Sequence, residues 1–264
     1  MNYRELPNLI KNGVSYQLVT AKDTPNFSEL AGDILKQGFP KFLFSPNPSG
    51  EQNINALLCK LYPEFQYGLV ESITQRMVAV GFSVPLTWEG DFQNLPNEGW
   101  DWAYEKAVSD HAKGYKPNLL CALSINVISE YRGKSLSGDM IKLMAEIAKF
   151  HKLGWLIVPA RPTLKHLYPL IPMERYITWQ NEAGLPFDPW LRTHIKQGAK
   201  MIGICDQAMT IIDTIARWET RADMRFPETG DYIVPQALVP IKIDYASNQG
   251  TYIEPNVWLY YDLS

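Results

Sequence analysis

The stretch Leu119–Gly154 decides the fold: LLCALSINVISEYRGKSLSGDMIKLMAEIAKFHKLG. Leu119–Ile128 is a nearly unbroken apolar run, which predicts a buried strand. Gly138–His151 carries apolar residues at helical spacing, which predicts an amphipathic helix. The loop between them, Tyr131–Gly138, is rich in small residues and carries two basic ones. Because a helix N-terminus presents unpaired N–H groups and a partial positive charge, this junction predicts a site for a phosphorylated ligand.

Two common phosphate-binding motifs do not fit this junction. Gly133-Lys134-Ser135 matches the end of a triphosphate-binding loop, but that motif requires a glycine where Ile128 stands, inside the strand. The Gly-x-Gly-x-x-Gly dinucleotide fingerprint is also absent here. The loop therefore indicates a different class of phosphorylated ligand.

The composition narrows the class of protein. The chain has 264 residues, 46% of them hydrophobic, and a formal net charge of −3, which gives no general basic field for nucleic acid. Its three cysteines are far apart in sequence, which predicts reduced thiols and no zinc site. Without a signal-like N-terminus or an apolar run of bilayer length, we expect a cytoplasmic protein with no membrane span.

Strand and helix patterns alternate along most of the chain, which predicts a layered α/β domain with a mixed sheet. With no repeat or linker, residues 1–264 are expected to form a single domain, with insertions at 85–117 and 162–189. The predicted strands are Val14–Thr20, Tyr67–Glu71, Arg76–Val84, Leu119–Ile128, Trp155–Val158, Met201–Cys205, Met209–Thr214, Tyr232–Val239, Ile241–Tyr245 and Tyr252–Tyr261. The other predicted helices are Asn26–Gln37, Asn53–Leu61, Gly99–Lys113 and Trp190–Gln197, and a loop is predicted at Pro46–Gly50.

The segment Val127–Ser137 resembles the acyl-coenzyme A loop of the GNAT acyltransferases. That family's signature is Arg or Gln, two residues, Gly, one residue, then Gly or Ala. Arg132 fills the first position, and Ser135 and Ser137 occupy the two small positions. The resemblance implies a GNAT fold, with a mixed, mostly antiparallel sheet of about seven strands flanked by helices. It also implies acyl-CoA as co-substrate and no metal.

The resemblance assigns the donor-binding residues. Backbone groups of the strand at Asn126 and Val127 would bind the pantetheine arm and polarise the thioester carbonyl. The loop that would hold the pyrophosphate consists of Arg132, Gly133, Lys134, Ser135, Leu136 and Ser137. Seven basic and two acidic residues between Arg132 and His166 suit such a ligand. With serine in place of glycine, we expect this loop to avoid positive φ angles.

Three side chains are candidates for acid–base chemistry. In the family a general acid often stands four residues before the Gly that ends the next helix, and here Gly198 places His194 there. The base glutamate of some relatives is missing, since leucines occupy its positions. Asp188 and Glu254, each in an aromatic, proline-fixed segment, are the leading carboxylates. Their structural alternatives are a packed histidine, a helix N-cap at Asp188 and a hydrogen-bonding acid at Glu254.

Longer motifs resemble a group of bacterial GNAT-like proteins associated with natural-product pathways. The motifs are Arg161–Ile177, Leu185–His194 and the tail Tyr252–Trp258. By this resemblance, the acceptor includes lysine or ornithine side chains of peptides. The aromatic stretch Arg161–Trp190 either walls a substrate pocket or forms a structural insertion.

Together these patterns predict an N-acyltransferase that moves an acetyl or longer acyl group from acyl-CoA to a primary amine by direct attack on the thioester. The alternatives are a malonyl-thioester decarboxylase on the same scaffold and a CoA-binding protein without turnover. The predicted partners are acyl-CoA and an amine acceptor, in a monomer or homodimer.

Overall fold

A computed structural model describes residues 8–43 and 53–264. In these ranges the strands are β1 Leu9–Lys11, β2 Val14–Thr20, β3 Gln66–Glu71, β4 Met77–Leu86, β5 Leu119–Val127, β6 Trp155–Ala160, β7 Lys200–Thr214, β8 Gly230–Tyr232, β9 Ile241–Asp244 and β10 Gln249–Asp262. The helices are α1 Phe27–Gly38, α2 Ile54–Leu61, α3 Gly99–Lys113, α4 Leu136–Phe150, α5 Met173–Tyr176, α6 Pro189–Lys196 and α7 Ile215–Ala222. The loop predicted at Pro46–Gly50 lies outside the described residues.

The strands form one mixed sheet in the order β1-β2-β3-β4-β5-β6-β10-β9-β8, with β7 paired to β10. Within the described ranges the pairs are antiparallel except β5 with β6, which run parallel. The predicted α/β GNAT fold with a mostly antiparallel sheet is confirmed, although the described sheet has ten strands and not about seven. Among the short strands, β9 was predicted at Ile241–Tyr245, whereas β1 was not, because its three residues carry little sequence signal.

Helices α1 and α4 cover opposite faces of this sheet. Tyr67 of β3 lies over Gly81 of β4, where an added Cβ would stand 2.4 Å from the tyrosine ring. The Tyr67 hydroxyl donates to the Met140 carbonyl of α4 at 2.6 Å. Phe82, the next residue of β4, points to the other face, and its ring centroid lies 6.2 Å from that of Phe27 in α1. A ligand held at the start of α4 therefore approaches the sheet from the face opposite to α1.

Two apolar clusters stabilise the described parts of the chain. The larger is built from the central strands with α1, α3, α4 and the segment before α6. The smaller lies at the C-terminal end of the sheet, around the fully buried Trp218 and Tyr252 with Phe42. Strand β10 contributes Tyr252 to the smaller cluster and Trp258 to the larger, so one long strand runs through both.

Several predicted boundaries change in the C-terminal half. The two predicted strand pieces at Met201–Cys205 and Met209–Thr214 belong to one strand, β7, which pairs with β10 on both sides of an irregularity at residues 206–208. The predicted strand Tyr232–Val239 is wrong, since only Gly230–Tyr232 is extended and paired. Helix α7 was not predicted, although Thr214 caps it by accepting from the backbone N–H of Arg217.

The aromatic stretch before α6 folds on itself. The rings of Tyr168, Tyr176, Trp179 and Phe187 contact one another, with centroids 4.9–6.2 Å apart. Tyr176 is buried to 1% exposure. Because these rings pack against each other and against the main core, the structural reading of this insertion is favoured over a pocket wall.

Candidate active site

Strands β5 and β6 pair over three residues only and then separate. Leu119–Cys121 of β5 pairs in parallel with Trp155–Ile157 of β6, and the later residues of the two strands have no ladder partners in each other. The indole N–H of Trp100 in α3 donates to the Leu123 carbonyl of β5 at 3.1 Å. The two strand ends therefore enclose an opening, called here the wedge, that begins after Cys121 and ends at Val127 and Ala160.

Register decides which β5 amides face the wedge. The N–H of Ile128 donates to the Val78 carbonyl of the β4 side at 3.0 Å. Because alternate residues of a strand direct their N–H groups to opposite sides, Asn126 also faces β4, where it opposes Val80. Ile125 and Val127 face the wedge. The register therefore leaves the Ile125 and Val127 N–H groups facing the wedge, and it turns the Asn126 backbone away from it.

The Asn126 side chain lies on the α1 face instead. Its Oδ1 is so close to Gly38 that an added Cβ would stand 1.8 Å away. Its Nδ2 is buried and has no hydrogen-bond partner among the described residues. Gly38, the last residue of α1, is thus required by the close approach of this amide.

Two residues of the loop before α4 have left-handed backbone conformations. Gly133 has φ +76° and Ser135 has φ +58°, both in the left-handed region. The expectation that serine keeps the loop out of positive φ is therefore wrong. The conformation is retained at Ser135 with a cost of ~1 kcal/mol for a residue with a Cβ. The family's glycine at this position is explained by the same φ angle.

In the part of the chain that the structure describes, the first turn of α4 lacks a side-chain cap from its N-cap residue, Ser135. The N–H groups at the start of the helix, including those of Leu136 and Ser137, therefore lack the side-chain acceptor that usually satisfies them. Gly133, Lys134 and Ser135 are exposed beside them. The geometry suits a phosphate group.

Arg132 is held by two carbonyls. Its Nε donates to Val127 O at 3.1 Å, and its Nη2 donates to Gln37 O at the end of α1 at 2.7 Å. The guanidinium thus joins the end of β5 to the end of α1. Lys134, by contrast, lies over the Tyr131 ring, with Nζ 4.2 Å from the centroid.

Two of the basic residues between Arg132 and His166, Lys165 and Arg161, interact with other parts of the protein and not with the loop before α4. Lys165 is fully buried, and its Nζ donates to the carbonyls of Tyr168 and Leu238 at 2.9 and 2.7 Å. Arg161 pairs with Glu254. The predicted patch is therefore not a single phosphate-binding surface. Sequence reasoning also missed Lys11, which pairs with Asp139 and donates to Ser135 O at 3.1 Å.

His194 lies in α6, and only 1% of its surface is exposed to solvent. The Tyr261 hydroxyl lies 2.6 Å from its Nδ1, and the Trp190 ring centroid is 4.3 Å from the imidazole. Burial lowers the pKa of His194 to about 3, so the imidazole is neutral. Burial also raises the pKa of Tyr261, so the phenol keeps its proton, and both Nδ1 and the His194 carbonyl, at 3.4 Å, lie within its reach as acceptors. Among the described residues this buried Nε2 has no partner.

Asp188 is the N-cap of α6, and its side chain also accepts hydrogen bonds from the aromatic insertion. Its Oδ1 accepts from the N–H groups of Trp190 and Leu191, at 2.9 and 3.2 Å. Its Oδ2 accepts from Leu164 N at 2.8 Å and from the Tyr176 hydroxyl at 2.9 Å. The predicted catalytic carboxylate thus has its oxygens occupied by structural donors. These contacts match the structural alternative for Asp188, a helix N-cap.

Glu254 is fully buried in β10. Both carboxylate oxygens lie 3.0 Å from Arg161 Nε, and the Tyr252 hydroxyl donates to Oε2 at 2.6 Å. Arg161 follows β6 directly, so this pair fixes the far side of the wedge. The second predicted carboxylate is therefore also held by structural donors.

Sequence reasoning missed a third carboxylate, Asp101 in the first turn of α3. Its Oδ2 accepts from Thr210 N at 2.8 Å, and no ion pair joins it to a described cation. Burial, followed by the charges of Glu105 and Glu254, raises the pKa of Asp101 to about 6 despite the Thr210 hydrogen bond. An acidic residue in a first helical turn is commonplace, so the sequence carried no signal for it.

A cleft of ≈ 420 Å³ opens at the mouth of the wedge, called here the basic cleft. Its lining residues are Lys36, Gln37, Gly38, Phe39, Lys41, Arg132 and Gln236. Arg132 belongs to the β5 side, and the Gln236 carbonyl accepts from Arg161 of the β6 side at 2.8 Å. Its volume suits a small molecule. Two cations near the end of α1, Lys36 and Lys41, meet Arg132 from the loop before α4 here, which no local motif predicted.

Comparison with solved structures agrees with this architecture. The loading GNATL domain of CurA from Lyngbya majuscula aligns with a TM-score of 0.56 at 18% identity, over 94% of this chain and 98% of that one. The GphF GNAT-like decarboxylase in complex with isobutyryl-CoA aligns with a TM-score of 0.54 at 13% identity, over 94% and 99%. At these identities the likeness concerns the fold.

A sequence relative decides the family. Arginine N-acetyltransferase avaD of Aspergillus versicolor is 31% identical over 272 residues, covering 92% of this chain and 93% of the relative. The chain belongs to the GNAT-like acetyltransferase superfamily. No family model matches the chain. This GNAT relative is fungal, so the resemblance to a bacterial natural-product group stays a prediction.

Two further findings concern metals and membranes. Within residues 8–43 and 53–264, no group of three or more His, Cys, Asp or Glu side chains is gathered in a way that would hold a metal ion. Over the same ranges, no helix combines the length and apolar character needed to cross a bilayer. The three cysteines form no disulfide in the described structure.

Proposed function

We propose that this GNAT-like protein transfers an acyl group from acyl-CoA to a primary amine. The observation that carries the proposal is the wedge itself: β5 amides at Ile125 and Val127 face an opening that ends beside the uncapped first turn of α4. A pyrophosphate at that turn and a pantetheine arm along β5 satisfy both sets of donors. The family membership supports the same donor.

The proposed reaction is a direct displacement. The amine nitrogen attacks the thioester carbon, and a β5 N–H that faces the wedge stabilises the oxyanion as it forms. The carbon–sulfur bond then breaks, and CoA leaves as the thiolate or thiol while the amide product is released. The proton lost by the amine passes to a base, and one proton reaches the sulfur.

His194 is proposed to serve the leaving sulfur as a neutral hydrogen-bond donor. Its Nε2 is buried without a described partner, and in the tautomer with hydrogen on that atom a sulfur placed there would satisfy it. With a pKa of about 3, the imidazole does not act as a cationic acid near neutral pH. We expect His194→Ala to lower kcat for transfer while the Kd for CoA stays within threefold of wild type.

Asp101 is the proposed base, in preference to Asp188 and Glu254, whose oxygens are held by structural donors. A pKa of about 6 suits proton transfer near neutrality. If so, kcat/KM for transfer rises with pH through an inflection near 6, and Asp101→Asn removes that inflection. An unchanged profile in Asp101→Asn contradicts the assignment.

The function is tested with acetyl-CoA and a panel of amines, by following free thiol release and product mass. The panel begins with L-arginine, the acceptor in the name of the fungal relative, and includes longer acyl-CoA donors and peptides containing lysine or ornithine. Product that carries the acyl group on nitrogen is the expected result. Conversion of malonyl-CoA to acetyl-CoA without transfer would favour a decarboxylase. CoA binding with no turnover on any pair would favour a non-catalytic protein.

A further inference from the structure

The basic cleft lies beside the end of α1, and it includes Arg132 from the loop that leads into the phosphate-binding turn. Gln37, Gly38 and Phe39, at and just past the end of α1, line it, and α1 covers the sheet face opposite to α4. A donor held at the start of α4 therefore reaches the wedge from one face, and a second molecule in the cleft reaches it from the other. The cleft is placed as an acceptor site would be.

The positive charge of the cleft favours an anionic ligand. Lys36, Lys41 and Arg132 line it, and none of the seven described lining residues is acidic. Lys36 meets Asp33 at 3.4 Å and Lys41 meets Asp223 at 3.5 Å, and these side chains are 70–83% exposed. Such solvated pairs contribute little net attraction, so both ammonium groups are available to an anion.

The cleft also has two fixed walls. The Arg132 guanidinium is anchored by two carbonyls, which leaves Nη1 uncommitted by these two bonds. On the other side, Gln236 has φ +68°, and its carbonyl is held by Arg161 Nη2, whose own partner is the buried Glu254. The left-handed conformation of Gln236 is strained, and the hydrogen bond from Arg161 holds its backbone in place beside the wedge.

We propose that the basic cleft binds the carboxylate of the amine acceptor, so that the acceptor is an amino acid and not a simple amine or a peptide-chain side group. This inference rests on the proposed function and names its acceptor class. Two flexible ammonium groups and one anchored guanidinium match a carboxylate whose amine extends toward the wedge. The cleft volume of ≈ 420 Å³ accommodates a molecule of that size.

The test measures binding, so that it does not depend on turnover. Calorimetric titrations in the presence of excess CoA compare each amino acid with its decarboxylated counterpart: L-arginine with agmatine, L-lysine with cadaverine, and L-ornithine with putrescine. We expect at least one amino acid to bind about tenfold or more tightly than its counterpart, from the loss of a short-range charge interaction.

Two variants locate the carboxylate. We expect Lys41→Ala to weaken amino-acid binding about fivefold, because one charge contact at partial solvation is lost, while the Kd for acetyl-CoA stays within twofold. Lys60→Ala, another exposed lysine, in α2 and outside the cleft, is the matched control and should leave both affinities unchanged. Lys36→Ala should repeat the effect of Lys41→Ala.

Three results would overturn the inference: equal binding of an amino acid and its decarboxylated counterpart across the panel, no binding of any amino acid, or a Lys41→Ala effect on acetyl-CoA instead of the amino acid. The last result would assign the cleft to the phosphates of CoA. Binding of an amino acid with the expected variant effects, but without any acyl transfer, would support the cleft assignment and contradict the proposed function.

Discussion

The buried imidazole of His194 predicts a specific pH dependence of stability. Its pKa is about 3 in the folded chain, against an ordinary value of 6.5. Between these values the unfolded chain binds the extra proton, so the free energy of unfolding falls as pH falls from 6.5 toward 3. The slope approaches about 1.4 kcal/mol per pH unit, which amounts to about 2 kcal/mol between pH 7 and pH 5.

The perturbation is His194→Asn. Asparagine offers an oxygen near the position of Nδ1 to accept from the Tyr261 hydroxyl, and it does not titrate. Urea unfolding of wild type and variant at pH 7, 6 and 5 gives the free energy of unfolding of each. We expect wild type to lose about 2 kcal/mol more than His194→Asn between pH 7 and pH 5.

Comparing wild type with His194→Asn removes the contribution of the other titrating groups to the change in stability. Asp101, with its pKa raised to about 6, is present in both proteins and contributes equally to each. His111→Asn, at an exposed position, is the matched control and should follow wild type at every pH. If wild type and His194→Asn lose stability in parallel, within about 0.5 kcal/mol, the buried neutral imidazole is refuted.

Three further outcomes follow from the contacts. Asp188→Ala removes the N-cap and the acceptor of Tyr176, and we expect a loss of about 3 kcal/mol in urea unfolding; a loss below about 1 kcal/mol would contradict the structural role. Glu254→Gln leaves Arg161 without its charge partner, and we expect a loss of about 3 kcal/mol, seen as a lower thermal midpoint, whereas an unchanged midpoint would count against the pair. Ser135→Gly relieves the left-handed strain at the entropic cost of glycine, so we expect a gain of about 0.5 kcal/mol; destabilisation beyond about 1 kcal/mol would argue against φ +58° at this residue.

Local patterns were sufficient for much of the fold. The helix at Gly99–Lys113 and the strand at Val14–Thr20 have the predicted bounds, because helical spacing and β-branched runs act over a few residues. Strand β7 was divided in the prediction because its middle is polar and half-exposed. Both parts pair with β10 on either side of residues 206–208, which is a long-range contact that no local pattern records.

In the candidate site, too, features set by local sequence were predicted and features set by long-range contacts were not. The junction of β5 and α4 was predicted from contiguous residues, including the position of Ser135, whose left-handed φ the sequence argument opposed. The basic cleft was not predicted, because Lys41, Arg132 and Gln236 are brought together only by the fold. Aromatic, proline-rich flanks suggested chemistry at Asp188, yet such flanks equally suit a carboxylate that ties a compact insertion together.

The central claim is that the first turn of α4 holds the phosphates of acyl-CoA, and one calorimetric titration tests it. Acetyl-CoA is titrated into wild type, Ser135→Gln and Ser135→Glu, which alter an exposed side chain and differ from each other only in charge. We predict that Ser135→Gln binds within threefold of wild type, and that Ser135→Glu binds about tenfold more weakly than Ser135→Gln because its carboxylate repels the pyrophosphate. Equal affinities for the two variants, or no acetyl-CoA binding by wild type, would contradict the account.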